Sequence, residues 1–533
     1  MSLAGCTSVG RPSRPTIQRA RLSFAKRWTR LYVRALMSNS LRGALKAVVT
    51  LVACATAAAT TSLAAQTLSS DVREFVRVDT AVFALTHVRL IDGTGAAARD
   101  DATIVVSHGK IVTVGGTNTA IPAGAQVLDL HGHSVIPGLV GMHDHLFYTS
   151  TLDRDSDGKL APPGQLLVEM AYSFPRLYLA AGVTAIRTTG SIETYTDLNL
   201  KNQIDSGRIP GPKVYVTGPY LEGKGAQGPQ MHELTSPEDA RALVSFWADQ
   251  GATSFKAYKN ITRAELAAAI AEAHKRGLKV TGHLCSITYP EAIALGIDNF
   301  EHGPIGTDAE FVQGKQPDVC PGATAMFASW ESQSISSAPV QTLIRNLVDH
   351  HVAITSTLAV YELLVPNRPP LQKRVLDAMT AESKVSYLTQ RAYPNPPYKG
   401  RIVRYDSLMA KEMAFEKAFV DAGGLLIAGP DPTGTGIVLA GFGDQRDVEL
   451  LVEGGFSPVA AIQVATANGA KFLGESEHFG TIAPGRQADL VVIKGDPSTR
   501  ISDIENVELV FKDGVGYDSA KLIQSVRGIV GLR

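Results

Sequence analysis

Hydrophobic and polar positions change rhythm along this 533-residue chain. From Ala81 the pattern is short and β-branched. Phe83-Ala-Leu-Thr-His-Val-Arg-Leu-Ile91 runs into Asp92-Gly93, Ala102-Thr-Ile-Val-Val-Ser107 into His108-Gly109, and Lys110-Ile-Val-Thr-Val114 into Gly115-Gly116. Apolar runs broken by such turn pairs read as hairpins. The same texture returns near the C-terminus, in Gly485–Lys494 and Val507–Phe511. Two β-rich pieces flanking a different middle predict one small β-sandwich built from both chain ends.

The middle alternates strand and helix. Eight strands are predicted: Val135–His145, Val183–Arg187, Lys213–Gly218, Thr253–Tyr258, Lys279–His283, Asn299–His302, Ala353–Leu358 and Gly424–Ala428. Thr262-Arg-Ala-Glu265 is a capping box that opens a helix. Leu266, Ile270 and Ala273 share its apolar face, and Gly277 closes it. Pro290 marks another helix start and Gly296 its end, while Ser236-Pro237 and Ser457-Pro458 pair a serine cap with proline at the first helical position. Eight strands with intervening helices predict an α/β fold, a (β/α)8 barrel over 139–469. The sandwich would then take 66–138 and 470–533. A doubly wound open sheet is the alternative, but no Gly-rich dinucleotide fingerprint follows an early strand.

Charge is balanced, 51 basic against 51 acidic residues, which gives no reason to expect nucleic acid or a polyanionic partner. The balance hides an asymmetry: the first acidic residue is Asp71. Residues up to Arg34 are Arg-rich without hydrophobic periodicity. Met37 then opens a basic stretch followed by an apolar run, Ala47–Ala65, ending in small residues around Ser62-Leu63-Ala64. That is the layout of a cleaved export signal. Residues 1–65 are therefore expected to be an extension and export signal, with Met37 or Met1 as the true start and a periplasmic or secreted product. A retained membrane anchor, or lipidation at Cys54 in Leu51-Val-Ala-Cys54, are the alternatives. After cleavage only Cys285 and Cys320 remain; export permits one bridge, and spacing does not say whether they meet.

The chemistry lies in five segments that each end an apolar run on a metal-type ligand: His143-Asp144-His145, Lys256, His283, His302 and Asp431. Side chains spread over nearly 300 residues share a site only if the fold returns each to one place, and the C-terminal strand ends of a parallel barrel do so. His143 and His145, two apart at a strand end, point the same way. Four imidazoles suit borderline divalent metals. Asp431 directly follows the very apolar Leu425–Pro430, where a carboxylate is costly unless paired or metal-bound. Lys256, inside Ser-Phe-Lys-Ala-Tyr, is either paired to a carboxylate or, with its pKa lowered by burial, reacts with carbon dioxide to give a carbamate able to bridge two metals. His131-Gly132-His133 has the spacing of the first pair but precedes the barrel and reads as structural. His274, at a helix C-terminus, also reads as structural.

These residues resemble the amidohydrolase superfamily, most specifically through Val135-Ile-Pro-Gly-Leu-Val-Gly-Met-His-Asp-His145 and Gly480-Thr-Ile-Ala-Pro-Gly-Arg-Gln-Ala-Asp-Leu490. The likeness covers nearly the whole mature chain. It looks like the branch that contains imidazolonepropionase-like enzymes, Xaa-Pro dipeptidases with a carboxylated lysine and ochratoxin-hydrolysing amidases. The resemblance implies two divalent ions, zinc first among them. His143 and His145 would hold the more buried one, His283 and His302 the second, carboxylated Lys256 would bridge both, and Asp431 would touch the first and shuttle protons. Gly429-Pro430-Asp431 departs from the Gly-Thr-Asp or Gly-Ser-Asp common in relatives, which puts in question how Asp431 is held.

The expected reaction is hydrolysis of an amide or peptide-like C–N bond in a small molecule by a metal-bridging hydroxide, with Asp431 carrying the proton to the leaving amine. Tyr258 is a candidate oxyanion donor. His232, in the loop after the third strand, is a candidate substrate contact, as are Tyr148 and Arg187, the latter for a substrate carboxylate. The substrate-selecting loops are expected at 219–235, 304–335 and 361–400, and a homo-oligomer is expected. The alternatives are a lactonase or phosphotriesterase, a mononuclear deaminase on the same barrel, and a non-catalytic exported binding or scaffold protein. The deaminase lacks support because the glutamate it needs three residues after His283 is absent: Leu284-Cys285-Ser286 stands there.

Overall fold

Strands from the two chain ends pair into one sheet. The computed structural model describes residues 68–151, 165–226, 230–392, 404–432 and 438–531. The expected export signal, Met37 and Cys54 lie outside the described residues. From the N-terminal side come β1 (Val76–Val78), β2 (Val82–Leu90), β3 (Arg99–Ser107), β4 (Lys110–Gly115), β5 (Gln126–Asp129) and β6 (His133–Pro137). The C-terminal side supplies β17 (Leu490–Lys494), β18 (Val507–Lys512) and β19 (Val515–Asp518). The order is β1-β19-β18-β17-β6-β2-β3-β4, with β5 also on β2. The sheet curls over itself: Phe83 of β2 stacks on Phe511 of β18 at 4.7 Å, although β17 and β6 lie between them in the ladder.

The central strands are buried on both faces. In β17, Leu490 and Val492 join the core inside the curled sheet, while Val491 and Ile493 join the core shared with the rest of the molecule. Val135 and Ile136 of β6 divide the same way. Continuous Val/Ile/Leu runs are what two-sided burial requires.

The second layer is a run of eight parallel strands. They are β7 (Leu139–Asp144), β10 (Val183–Thr188), β11 (Lys213–Val216), β12 (Ser254–Ala257), β13 (Lys279–Gly282), β14 (Asn299–Glu301), β15 (Ala353–Ser356) and β16 (Leu426–Ala428). Two parallel ladders, β7-β10-β11 and β12 through β16, meet at a bridge between Thr217 and Ser254. The expected helix signals hold. Thr262 and Glu265 form a reciprocal cap, and Ser236 and Ser457 cap helices with proline in the first turn. Gly296 closes its helix at φ 91°.

Three features differ from expectation. The predicted first strand, Val135–His145, is two strands. At Gly138, whose Cβ would fall 2.0 Å from Thr184 Oγ1, the chain leaves the end sheet as β6 and enters the parallel layer as β7. An antiparallel hairpin, β8 (Phe147–Thr151) with β9 (Gln165–Glu169), follows β7. The regions read as loops at 304–335 and 361–400 carry helices Ala323–Glu331, Lys373–Ala378 and Ala381–Ala392.

The eight strands do not close by backbone pairing among the described residues: no ladder joins β16 to β7. There the Asp431 N–H donates to the His143 carbonyl (2.9 Å), and Asn468, in a π-helical turn at Val464–Asn468, donates to Leu426 O (2.8 Å). This close approach needs glycine at 429, where a Cβ would lie 2.1 Å from the His143 nitrogen. Gly429→Ala is expected to cost about 1–3 kcal/mol or more, as overpacking does. A lower urea midpoint, with metal content reduced in parallel, would show it.

Candidate metal centre

Every expected ligand sits at or just past the C-terminal end of its strand. His143 lies in β7 with His145 just beyond, Lys256 is in β12, His283 and His302 directly follow β13 and β14, and Asp431 comes three residues after β16. His143, His145, Lys256 and His302 are buried; His283 and Asp431 are partly open.

The side chains converge. Lys256 Nζ is 3.2 Å from His143 Nε2. Asp431 Oδ1 stands 3.3 Å from His145 Nε2 and 3.7 Å from His143 Nε2, and its Oδ2 is 3.9 Å from His302 Nδ1. The His302 ring lies 4.6 Å from both the His143 and the His283 ring, centroid to centroid. One ligand atom each from His143, His302 and Asp431 falls within 4.8 Å of the others, a trio that draws on both of the expected histidine pairs. His302 (φ 72°) and Asp431 (φ 52°) both hold left-handed backbone. Such residues cost of order 1–3 kcal/mol each and cluster at functional sites.

Burial lowers the pKa of all four imidazoles, His145 to about 4, so each keeps a lone pair. Burial also brings Lys256 down to about 8. Among the described residues no carboxylate lies at ion-pair distance from Lys256; its amine donates to Thr189 O (3.2 Å). Burial works to raise the Asp431 carboxyl, but the imidazoles of His143, His145 and His302 more than offset it and leave it well below its usual range. His145 Nδ1 and Asp431 Oδ1 are buried without a hydrogen-bond partner. Four neutral imidazoles, a carboxylate and orphaned donor atoms fit a borderline divalent ion such as zinc.

The remaining candidates separate. The Tyr258 ring packs 5.0 Å from His283 and 4.9 Å from Tyr220, on the wall of the centre. Arg187, expected to meet a substrate carboxylate, is instead interior and 1% exposed: it binds the Met142 carbonyl, Asn299 and Glu301. His232 is half exposed, and its Nε2 pairs with Asp239 (3.0 Å) in the first turn of helix Pro237–Gln250. Tyr148 is buried with its hydroxyl beside Ser383. His131 joins His87 around Asp129 Oδ1 (2.7 and 3.0 Å). Those two rings stack at 4.1 Å, and the trio's ligand atoms lie within 4.8 Å of one another, but the group sits in the end sheet, largely exposed, apart from the parallel-strand ends that carry the other ligands. His133 pairs with Glu508, and His274 with Asp298.

Sequence reasoning missed Tyr220, whose ring lies 5.3 Å from Lys256 Nζ, and Glu301, whose Oε2 lies 2.8 Å from His143 Nδ1. Asn299-Phe300-Glu301 does carry a signal, two polar residues at period two within a buried strand.

Cys285, two residues past His283, is disulfide-bonded to Cys320 in the segment after β14. The bridge closes a 35-residue span, which corresponds to about 3–4 kcal/mol of unfolded-chain entropy. Cys320→Ser is expected to lower the urea midpoint accordingly and to speed proteolysis within 304–322.

Among the described residues no helix is long and apolar enough to cross a membrane. Parallel strands with His143, His302 and Asp431 gathered at their C-terminal ends make a candidate metal site of the kind barrel enzymes carry. The chain belongs to the amidohydrolase family, whose model matches residues 134–377 and 410–515. Solved structures share the fold. A Xaa-Pro dipeptidase with methionine in its active site is 20% identical over 82% of this chain and 100% of its own, TM-score 0.59. The bottromycin amidohydrolase is 19% identical over 84% and 91%, TM-score 0.61. The A. niger ochratoxinase is 17% identical over 82% and 95%, TM-score 0.56. Adenine deaminase 2 of Jannaschia sp. (strain CCS1) is 39% identical over 70 residues, a stretch covering 13% of this chain and 11% of that protein.

Proposed function

We propose that this chain hydrolyses an amide or peptide-like C–N bond in a small molecule. Two divalent ions would be held by His143, His145, His283, His302, Asp431 and a carboxylated Lys256. The observation that carries this reading is the buried His143, His302 and Asp431 cluster with His145, His283 and Lys256 around it, Lys256 lying 3.2 Å from His143 and, among the described residues, without a carboxylate at ion-pair distance. Its neutral amine would attack carbon dioxide, forming an N–C bond and releasing one proton. The resulting carbamate supplies two anionic oxygens where the amine alone offers one nitrogen.

Bound divalent ions lower the pKa of water and polarise a carbonyl oxygen. The chain's own groups do the rest. Asp431 is the most open of the closely spaced ligands: its side chain is 13% exposed, against 0, 2 and 6% for His143, His145 and His302. It is the group placed to take a proton from the attacking water and pass it to the departing nitrogen. Tyr258, beside His283, is the donor we assign to the developing oxyanion.

The shared fold with a Xaa-Pro dipeptidase and an ochratoxinase supports an amide or peptide-like substrate. The short deaminase match does not favour deamination, because Leu284-Cys285-Ser286 supplies no glutamate after His283 and Lys256 is present. The disulfide supports the reading of residues 1–65 as an export segment, since such bridges persist in oxidising compartments.

The test is a screen of dipeptides, N-acyl amino acids, lactones and phosphotriesters with metal-reconstituted protein. Turnover of dipeptides or N-acyl amino acids is expected. Activity confined to esters or phosphotriesters overturns the amidase reading, and a chain that binds no metal overturns the hydrolase.

A further inference from the structure

Below the ligand cluster the interior is a polar network. Glu301 Oε2 lies 2.8 Å from His143 Nδ1, and both side chains are fully buried. The other oxygen of Glu301 accepts from Arg187 Nη2 (2.7 Å) and from the Thr281 hydroxyl. Arg187 Nε donates to the carbonyl of Met142 (2.8 Å), the residue before His143, and both of its terminal nitrogens reach Asn299 Oδ1 (3.1 Å). The Asn299 amide donates in turn to Thr355 Oγ1 (3.1 Å) and Ala353 O (3.2 Å). Strands β7, β10, β13, β14 and β15 are thus joined around one carboxylate.

A carboxylate held by Arg187 and Thr281 only accepts. The proton between it and His143 must therefore sit on Nδ1, which leaves the lone pair on Nε2. Nε2 is the atom that faces Lys256 and Asp431. A buried ion pair is weak evidence of stabilisation, because a well-packed apolar set of the same volume is often as stable or more so. Orienting a ligand is a role that an apolar set cannot take.

We propose that Glu301 is a positioning residue that fixes the Nδ1-protonated tautomer of His143, with Arg187 tying Glu301 to the backbone that carries the ligand. The inference rests on His143 being a metal ligand. A partner of this kind is worth roughly 10–100-fold in metal affinity.

Glu301→Gln keeps the shape and reverses the polarity. Arg187 and Thr281 are donors, so the amide oxygen turns to them and its NH2 group meets His143, which must then accept at Nδ1. Histidine 15N spectra of the metal-free protein, assigned by loss of the signal in His143→Gln, read this directly. Wild type is expected to show a pyrrole-type Nδ1 and a pyridine-type Nε2, and Glu301→Gln the reverse. Zinc affinity, measured by chelator competition, is expected to fall roughly 10–100-fold in Glu301→Gln. A wild-type spectrum with the proton on Nε2 overturns the proposal, as does zinc binding in Glu301→Gln equal to wild type. Should the variant not fold, the wild-type spectrum decides alone. A wild-type chain that binds no metal overturns the hydrolase reading instead, and the tautomer is still read on metal-free protein.

Discussion

Lys256→Ala is expected to leave the fold intact, to lose about one of two bound metal ions, and to lower kcat/KM by roughly 10³-fold or more. Lys256 is 2% exposed; its amine meets the His143 ring nitrogen, a backbone carbonyl and the rings of Tyr220 and Tyr258, and among the described residues no carboxylate lies at ion-pair distance. Had it been a structural cation, a carboxylate partner should lie against it, and its loss would cost stability rather than metal. A bridging carbamate predicts the opposite pattern: metal and rate fall together while the urea midpoint moves little. Metal-ion stabilisation of the transition state is worth several kcal/mol, and each ~1.4 kcal/mol is a factor of ten in rate. The carbamate adds a second signature. Wild-type apoprotein reconstituted with zinc in bicarbonate-free buffer should recover activity slowly, and bicarbonate should accelerate it. A Lys256→Ala protein with full metal content and rate would rule out the bridge.

How much of this was legible in the chain depends on whether a residue's role is local or assembled. Strand ends were legible because each ligand follows a short apolar run, as in Lys279-Val-Thr-Gly-His283. The helix that starts after Thr262 was legible because a capping box is a four-residue device, and the structure shows both of its hydrogen bonds. The break at Gly138 was overlooked although it carries a signal: Pro137-Gly138 is a turn dipeptide, but apolar residues stand on both sides of it and the whole of Val135–His145 was read as one strand. Only the pairing of β6 with β17, more than 350 residues away in sequence, pulls its first half into another sheet.

Arg187 shows the same limit at the centre. A charged residue at the end of an apolar strand reads equally well as a substrate contact or as one half of a buried pair. Its partner Glu301 lies 114 residues away, so spacing could not choose. The left-handed backbone of His302 and Asp431 was also invisible, since neither is glycine. Gly429 was overlooked for the converse reason: one glycine among 49 does not announce that a neighbouring strand passes 2.1 Å from where its Cβ would be.

Asp431→Asn separates proton transfer from ligation. Asparagine matches aspartate in shape, tolerates the left-handed backbone at φ 52° better than alanine would, and keeps a carbonyl oxygen for a metal. The variant is therefore expected to fold and to retain most of its metal. It cannot carry a proton from water to a departing amine, a role worth about 10²–10⁴-fold. The loss should depend on the leaving group. An amide expels a nitrogen that must be protonated, whereas a 4-nitrophenyl ester with the same acyl group expels a phenolate that leaves without help. The expected result is a fall in kcat of about 10²–10⁴ on the amide and a much smaller one on the ester, with KM nearly unchanged on both. Lys256→Ala should depress the two substrates alike, because it removes a metal rather than a proton carrier. If Asp431→Asn also depressed them alike, Asp431 would be a ligand only, and the proton would have to travel through another of the groups that face the opening, His283 or Tyr258.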